Sequence, residues 1–278
     1  MFMSNLDDVV VAFIGSGVMA EAMINAILSE DLTQPTHIIS SDPREERGQE
    51  LQESYGVRAT TDNREAAEEA GIVVLSVKPQ VMSTVLQGLH GAVPPDALVL
   101  SIVAGSRIKI IAEGLGHAAI VRAMPNTPAQ IGEGMSVWTA TAEVSEDQRA
   151  QAQTILCALG EEVYLEDESY LDMATALSGT GPAYVFLFME AMIDAGVHLG
   201  FSRRVAQQLV LQTIRGSVDF ARQSAAHPAE LRNMVTSPGG TSAEALYQLE
   251  KGGFRTVLSR AIWAAYQKSQ YLGELSSK

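Results

Sequence analysis

Apolar residues follow two rhythms along this chain, and the change comes past its middle. From Val9 to about Asp167, short β-branched runs alternate with helix-like segments: VVVAFIG, THIIS, GIVVLSV, ALVLSIV and AAIVRAM, each bounded by Gly, Pro or Asp. Strands that are apolar on both faces and separated by helices predict a parallel sheet covered on both sides. GMSVWTA and EEVYLE read as two further strands flanking a helix that opens at Ser145, with Gln148 three residues on as a capping box. After Glu168 the strand rhythm stops. The remainder reads as helices punctuated at Gly179-Thr180-Gly181-Pro182, Gly200, His227-Pro228, Ser237-Pro238-Gly239-Gly240 and Gly252-Gly253. Pro182 is expected at the first position of its helix, where its missing N–H costs nothing. The prediction is therefore an α/β domain with a mostly parallel sheet over residues 1–167 and an all-helical domain over 168–278, without internal repeats.

Composition narrows the classes. The 278 residues are 46% hydrophobic, enough for two cores. Asp and Glu outnumber Lys and Arg by 33 to 19, for a net charge of -14, and the largest basic cluster is the pair Arg203-Arg204, so nucleic acid and anionic membrane are poor partners. The longest uninterrupted apolar run, Ala183 to Met189, is far short of the roughly 18 to 20 residues that span a bilayer. The first eight residues, MFMSNLDD, predict no signal peptide. The single cysteine, Cys157, has no disulfide partner, which fits the reducing cytosol. The five histidines show no metal-ligand spacing, so no metal is expected.

The first strand runs directly into Gly15-x-Gly17-x-x-Ala20 and an amphipathic helix. Gly15 permits a tight turn, Gly17 lets backbone approach a pyrophosphate, and Ala20 lets helix and strand pack closely; the helix start then presents unpaired N–H groups to phosphate. This context predicts a Rossmann-like dinucleotide-binding domain. The second strand ends in Ser40, Ser41, Asp42 and Arg44. An acidic residue there suits the ribose hydroxyls of NAD, whereas Arg or Ser suits the extra phosphate of NADP, and both chemistries are present. Later strand exits give SVKPQ (Ser76 to Gln80), IVAGS (Ile102 to Ser106) and AMPNTP (Ala123 to Pro128), three polar-capped ends lining one crevice.

In the helical half, Ser237 to Thr241 delivers consecutive backbone N–H groups at the start of a helix, a geometry that binds an anion such as a carboxylate, and Ser242 adds a hydroxyl in the first turn. The same residues are equally compatible with a plain N-cap at Thr241 or Ser242. Gly179 and Gly181 also leave space that a helix start alone does not require.

Taken together, FIGSGVMA, SVKPQVM, RAMPNTPA, ALSGTGPAYVF and VTSPGGTSAEAL closely resemble the pyrroline-5-carboxylate reductases, in one order and spacing over almost the full chain. The resemblance implies reduction of the cyclic imine pyrroline-5-carboxylate to L-proline with NADP or NAD as NADPH or NADH, the last step of proline biosynthesis, in a cytoplasmic enzyme. It implies a homodimer with interleaved helical halves, often assembled further into a decamer. By position, Gly15, Ser16, Gly17, Val18 and Met19 would hold the pyrophosphate, with Ile14 also at the cofactor and Asp42, Arg44 and Asn63 at the adenosine end. Val77, Lys78, Pro79, Ala104, Gly105, Pro125 and Asn126 would flank the ribose and nicotinamide. Ser237, Gly239, Gly240, Thr241 and Ser242 would bind the substrate carboxylate and ring, with Glu168 beside them and Ser242 the catalytic hydroxyl.

Two positions depart from the family pattern. Ser242 stands where threonine is usual, keeping the hydroxyl but losing the methyl that fixes its rotamer. Asp42 falls where a neutral hydroxyl residue is common, which leaves the cofactor preference open. A protonated imine is already an electrophile, so the site needs positioning more than a strong acid. A hydroxyacid dehydrogenase of similar architecture would be expected to carry a lysine in its helical domain, and none occurs between Lys109 and Lys251. A non-catalytic dinucleotide sensor would need no second anion site.

Overall fold

The computed structural model describes residues 6–275. Its strands form one eight-stranded sheet in the order β3-β2-β1-β4-β5-β6-β7-β8. These are β1 (Val11–Ile14), β2 (Ile38–Ser41), β3 (Arg58–Thr60), β4 (Ile72–Leu75), β5 (Leu98–Ser101), β6 (Ile120–Met124), β7 (Gly134–Ala140) and β8 (Gly160–Tyr164). Pairing is parallel except between β6 and β7. β3 was not expected from the sequence. Its three residues, Arg-Ala-Thr, are exposed or half-buried at the sheet edge and carry no apolar run to announce it.

Alternation along each buried strand feeds two cores. Val11 and Phe13 of β1, Ile72 and Val74 of β4, and Leu98 and Leu100 of β5 lie in one. Their neighbours Ala12, Ile14, Val73, Leu75 and Val99 lie in the other. The first core is closed by α1 (Val18–Ser29), α2 (Glu45–Tyr55) and α6 (Glu146–Cys157), and the second by α3 (Asn63–Glu68), α4 (Met82–Leu89) and α5 (Ile108–Leu115). A period of two with both faces covered is what makes these strands apolar throughout. The capping box of α6 forms as expected, Ser145 and Gln148 each bonding the other's backbone.

The helical remainder comprises α7 (Tyr170–Ala174), α8 (Gly181–His198), α9 (Arg203–Gln223), α10 (Pro228–Met234), α11 (Thr241–Lys251) and α12 (Phe254–Leu275). The expected break before Pro182 is not a break. A π-helical turn, Thr175–Gly179, joins α7 to α8, and Pro182 is the second residue of α8. The Thr180 N–H reaches the Thr175 carbonyl at 2.8 Å, five residues back, and so keeps the backbone bonded where glycines and proline would otherwise end a helix.

The chain divides into two compact units: residues up to Gly181 together with those from Ala265 onward, and Pro182–Ala264. The first contains the sheet, α7 and the end of α12, where Ser269 Oγ donates to the buried Asp172 carboxylate at 2.7 Å. In the second, α8 and α9 approach closely at Gly196, where an added Cβ would stand 2.9 Å from that of Ala206. Its buried apolar side chains among the described residues are Ala206 and Val210, whereas Phe186 (60% exposed), Leu187 (67%) and Trp263 (60%) stand out from it.

Candidate functional site

β1 lies between β2 and β4, so successive connections leave it in opposite directions. This is a topological switch point, and the crevice it opens lies beyond the carboxyl ends of β1 and β4. Gly15-Ser16-Gly17 crosses that end. The two glycines serve different ends. Gly15 has φ +96°, and a Cβ there would sit 2.7 Å from Val77 Cγ1, so both backbone and packing demand glycine. Gly17 is the N-cap of α1 with φ -72°, and a Cβ there would meet nothing within 4 Å. Protein packing therefore does not require Gly17, and the open space before it fits the close approach of a bound pyrophosphate to the start of α1.

Ser16 behaves differently from the pyrophosphate contact expected of it. It is fully buried, and its polar groups meet the protein. Its N–H donates to Asp42 Oδ2 at 3.1 Å, its hydroxyl shares a hydrogen bond with that of Ser40 at 2.5 Å, and its carbonyl accepts from Arg47 Nε at 2.8 Å. The Gly15 N–H is likewise committed, to the Ser41 carbonyl at 2.8 Å, and Ser76 Oγ donates to the Gly15 carbonyl at 2.7 Å. Gly17, Val18 and Met19 open α1, where backbone N–H groups find no acceptor within the helix.

At the end of β2, Asp42 is only 7% exposed. Arg44 donates to its carboxylate through Nε (2.8 Å), Nη2 (3.1 Å) and its own backbone N–H (3.1 Å). Burial works to raise the Asp42 pKa, but the bonds from Arg44 and Ser16 outweigh it and hold the group below the ordinary carboxylate value. Asn63 opens α3 beside this corner and accepts from Ser41 Oγ at 2.7 Å. Asp42, Arg44 and Asn63 thus all lie around the carboxyl end of β2.

The other strand exits are also built from turns. Lys78 is the cap of a 3₁₀ turn, Pro79–Val81, after β4. After β5, Val103 to Ser106 closes a turn with Gly105 at φ +75°, packed against Leu272 and Gly273 of α12. After β6, Pro125 precedes Asn126, whose Nδ2 donates to the Ser178 carbonyl (3.1 Å) and whose Oδ1 accepts from the Met135 N–H (2.9 Å). Pro182 has no N–H to offer Ser178 four residues back, so Asn126 satisfies the carbonyl that the proline leaves over. Glu168, expected beside the substrate, accepts from Arg122 Nη1 at 2.6 Å and from the Ile108 N–H at the start of α5 at 2.8 Å. That ties its Oε1 to β6 and to the start of α5.

In the helical unit, Ser237 to Gly240 is a tight turn, with the Gly240 N–H donating to the Ser237 carbonyl at 3.1 Å and Gly239 at φ +70°. Gly240, expected to offer its N–H to an anion, spends it inside this turn. Gly240 is also the N-cap of α11 and brings no capping side chain. Neither Thr241 nor Ser242 is the N-cap, so that alternative falls away. Both lie in the first turn, where backbone N–H groups find no acceptor in the helix. Among the described residues no group of three or more His, Cys, Asp or Glu is placed to hold a metal ion.

The sheet order and the glycine loop define a dinucleotide-binding fold, joined to a helical unit. Residues 10–105 match the family model described as NADP oxidoreductase coenzyme F420-dependent, and residues 168–272 match pyrroline-5-carboxylate reductase dimerisation. The chain is 44% identical to the pyrroline-5-carboxylate reductase of Synechocystis sp., covering 94% of this chain and 97% of that protein. It is 42% identical to that of Pseudomonas aeruginosa, covering 95% and 97%. Among solved structures it resembles a Plasmodium falciparum pyrroline carboxylate reductase with NADP bound (TM-score 0.89, 32% identity, covering 96% and 99%). The chain belongs to the pyrroline-5-carboxylate reductase family.

Membership in that family also bears on the apolar helices. Tyr170–His198 is long and apolar enough by length and composition to cross a membrane, which a count of uninterrupted apolar residues alone did not reveal. The stretch lies inside the match to pyrroline-5-carboxylate reductase dimerisation.

Proposed function

We propose that this chain reduces the cyclic imine pyrroline-5-carboxylate to L-proline with NADPH or NADH. The reading is carried by likeness along nearly the whole chain to relatives named for that reaction. Neither the hydroxyacid dehydrogenase nor the dinucleotide sensor is favoured by these likenesses.

When bound, the dinucleotide supplies the hydride. The chain's own part is to hold and orient. Ile14 and Gly15 shape the loop, and the N–H groups of Gly17, Val18 and Met19 hold the pyrophosphate, a role supported by the open space at Gly17. Asp42, Arg44 and Asn63 form the adenosine end. Val77, Lys78, Pro79, Ala104, Gly105, Pro125 and Asn126 flank the ribose and nicotinamide, Asn126 through its backbone because its side chain is engaged elsewhere.

The substrate carboxylate lies on the start of α11, at the backbone of Thr241 and Ser242, with Ser237 and Gly239 shaping the turn that exposes them. The Ser242 hydroxyl hydrogen-bonds the ring nitrogen of the imine, which is charged when protonated and so needs orientation rather than a strong acid. Glu168 acts within its own unit, holding Arg122 and the start of α5 in place. Functionally, residues 1–167 carry the dinucleotide, and 168–278 carry the substrate and the contact between subunits. A homodimer is the working unit, a decamer its further assembly and the cytoplasm its location. Incubation with pyrroline-5-carboxylate and each reduced dinucleotide, scored by dinucleotide oxidation and proline formed, tests the reaction directly.

A further inference from the structure

We propose that Arg47 is a positioning residue for the dinucleotide: with Asp42 it grips the Ser16 backbone from two sides and fixes the donors of the glycine loop. Asp42 takes the Ser16 N–H at 3.1 Å, and Arg47 Nε donates to the Ser16 carbonyl at 2.8 Å. The Ser16-Gly17 peptide is trans and planar, so the Gly17 N–H points opposite to that carbonyl. Holding the carbonyl against α2 therefore points the Gly17 N–H away from α2, at a residue where an added Cβ would find open space.

Arg47 is built for this task and not for reading a phosphate of its own. Its guanidinium side chain is 17% exposed and is held by Glu21 of α1 through Nη2 and by Glu50 through Nη1 at 2.9 Å. Tyr55 in turn donates to Glu21 at 3.1 Å. Two carboxylates offset the guanidinium charge, whereas Arg44, paired with Asp42, is 64% exposed. The network runs from α2 to the first turn of α1 and locks the helix start to the loop before it.

The proposal rests on the assignment of this loop to the pyrophosphate, which NADH and NADPH share. A clamp on the loop must therefore affect both alike, while a reader of the adenosine phosphate affects NADPH alone. Calorimetric titration of the full-length protein with NADH and with NADPH, on wild type and Arg47→Gln, separates the two. We expect the dissociation constants for both dinucleotides to rise by the same factor, about tenfold, the low end for losing a hydrogen bond from a charged group. Glu21→Gln, which loosens Arg47 without removing its bond to Ser16, should raise both by a smaller common factor, and it serves if Arg47→Gln does not fold. Weakening of NADPH alone, or unchanged constants in a folded variant, overturns the clamp. A wild type that binds neither dinucleotide overturns the loop assignment beneath it.

Discussion

Asp42 and Arg44 form a two-pronged ion pair at the end of β2, Nε to Oδ1 at 2.8 Å and Nη2 to Oδ2 at 3.1 Å. An acid at this position would on its own favour the ribose hydroxyls of NADH and repel the extra phosphate of NADPH. Here it arrives with its own cation. Arg44→Ala should leave the carboxylate without its cation, held by backbone N–H groups alone, and weaken NADPH more than NADH, by about two- to fivefold, the scale of an exposed pair. Dissociation constants for both dinucleotides check it, and an unchanged ratio would place Arg44 outside cofactor choice. Asp42→Ser should shift the preference the other way, towards NADPH.

The same carboxylate makes a pH prediction. Its folded pKa lies below its unfolded value of about 3.9, so its contribution to stability is full above that value and is lost as pH falls through the lower, folded one. The difference in Tm between wild type and Asp42→Asn should therefore be constant near neutrality and shrink below about pH 4. Thermal melts across that range measure it. A difference that grows on acidification would contradict the assignment of a depressed pKa.

Substituting the two loop glycines should separate stability from binding. Gly17→Ala places a methyl in open space at an ordinary φ, so Tm should change little while affinity for NADH and NADPH falls at least tenfold through a clash with the pyrophosphate. Gly15→Ala forces a side chain into a positive φ and against Val77, and should cost about 1 to 3 kcal/mol of stability. Differential scanning calorimetry beside dinucleotide titration distinguishes them.

These particulars show what the sequence could and could not reveal. The glycine loop, the strand exits and the SPGGTS turn were legible because each is a contiguous signature whose residue types answer a local backbone demand. The missed strand β3 is short, polar and at an edge, where burial imposes no pattern. Arg47 left no trace because its partners Ser16 and Glu21 come 31 and 26 residues earlier and meet it only through the fold. The turn at Gly179 to Pro182 reads as a break because neither residue favours helix, yet the π-helical geometry and Asn126 satisfy the backbone that they leave over.

Ser242→Ala should leave dinucleotide binding intact and slow imine reduction by about ten- to a hundredfold, the cost of one hydrogen bond to a charged group. Turnover at saturating substrate, measured beside a dinucleotide titration, gives the answer. Unaltered turnover would remove Ser242 from the chemistry.

Phe186, Leu187, Leu199 and Trp263 are each more than half exposed, large apolar side chains of the kind that a subunit contact covers. In dilute solution the protein should scatter light as a dimer or larger. An active monomer would contradict the subunit contact assigned to the helical unit.

The reaction itself can be measured directly. Purified full-length protein should oxidise NADPH or NADH only when pyrroline-5-carboxylate is added, with proline appearing in an amount equal to the dinucleotide consumed. Oxidation of neither dinucleotide, by protein that titration shows to bind them, would contradict the account.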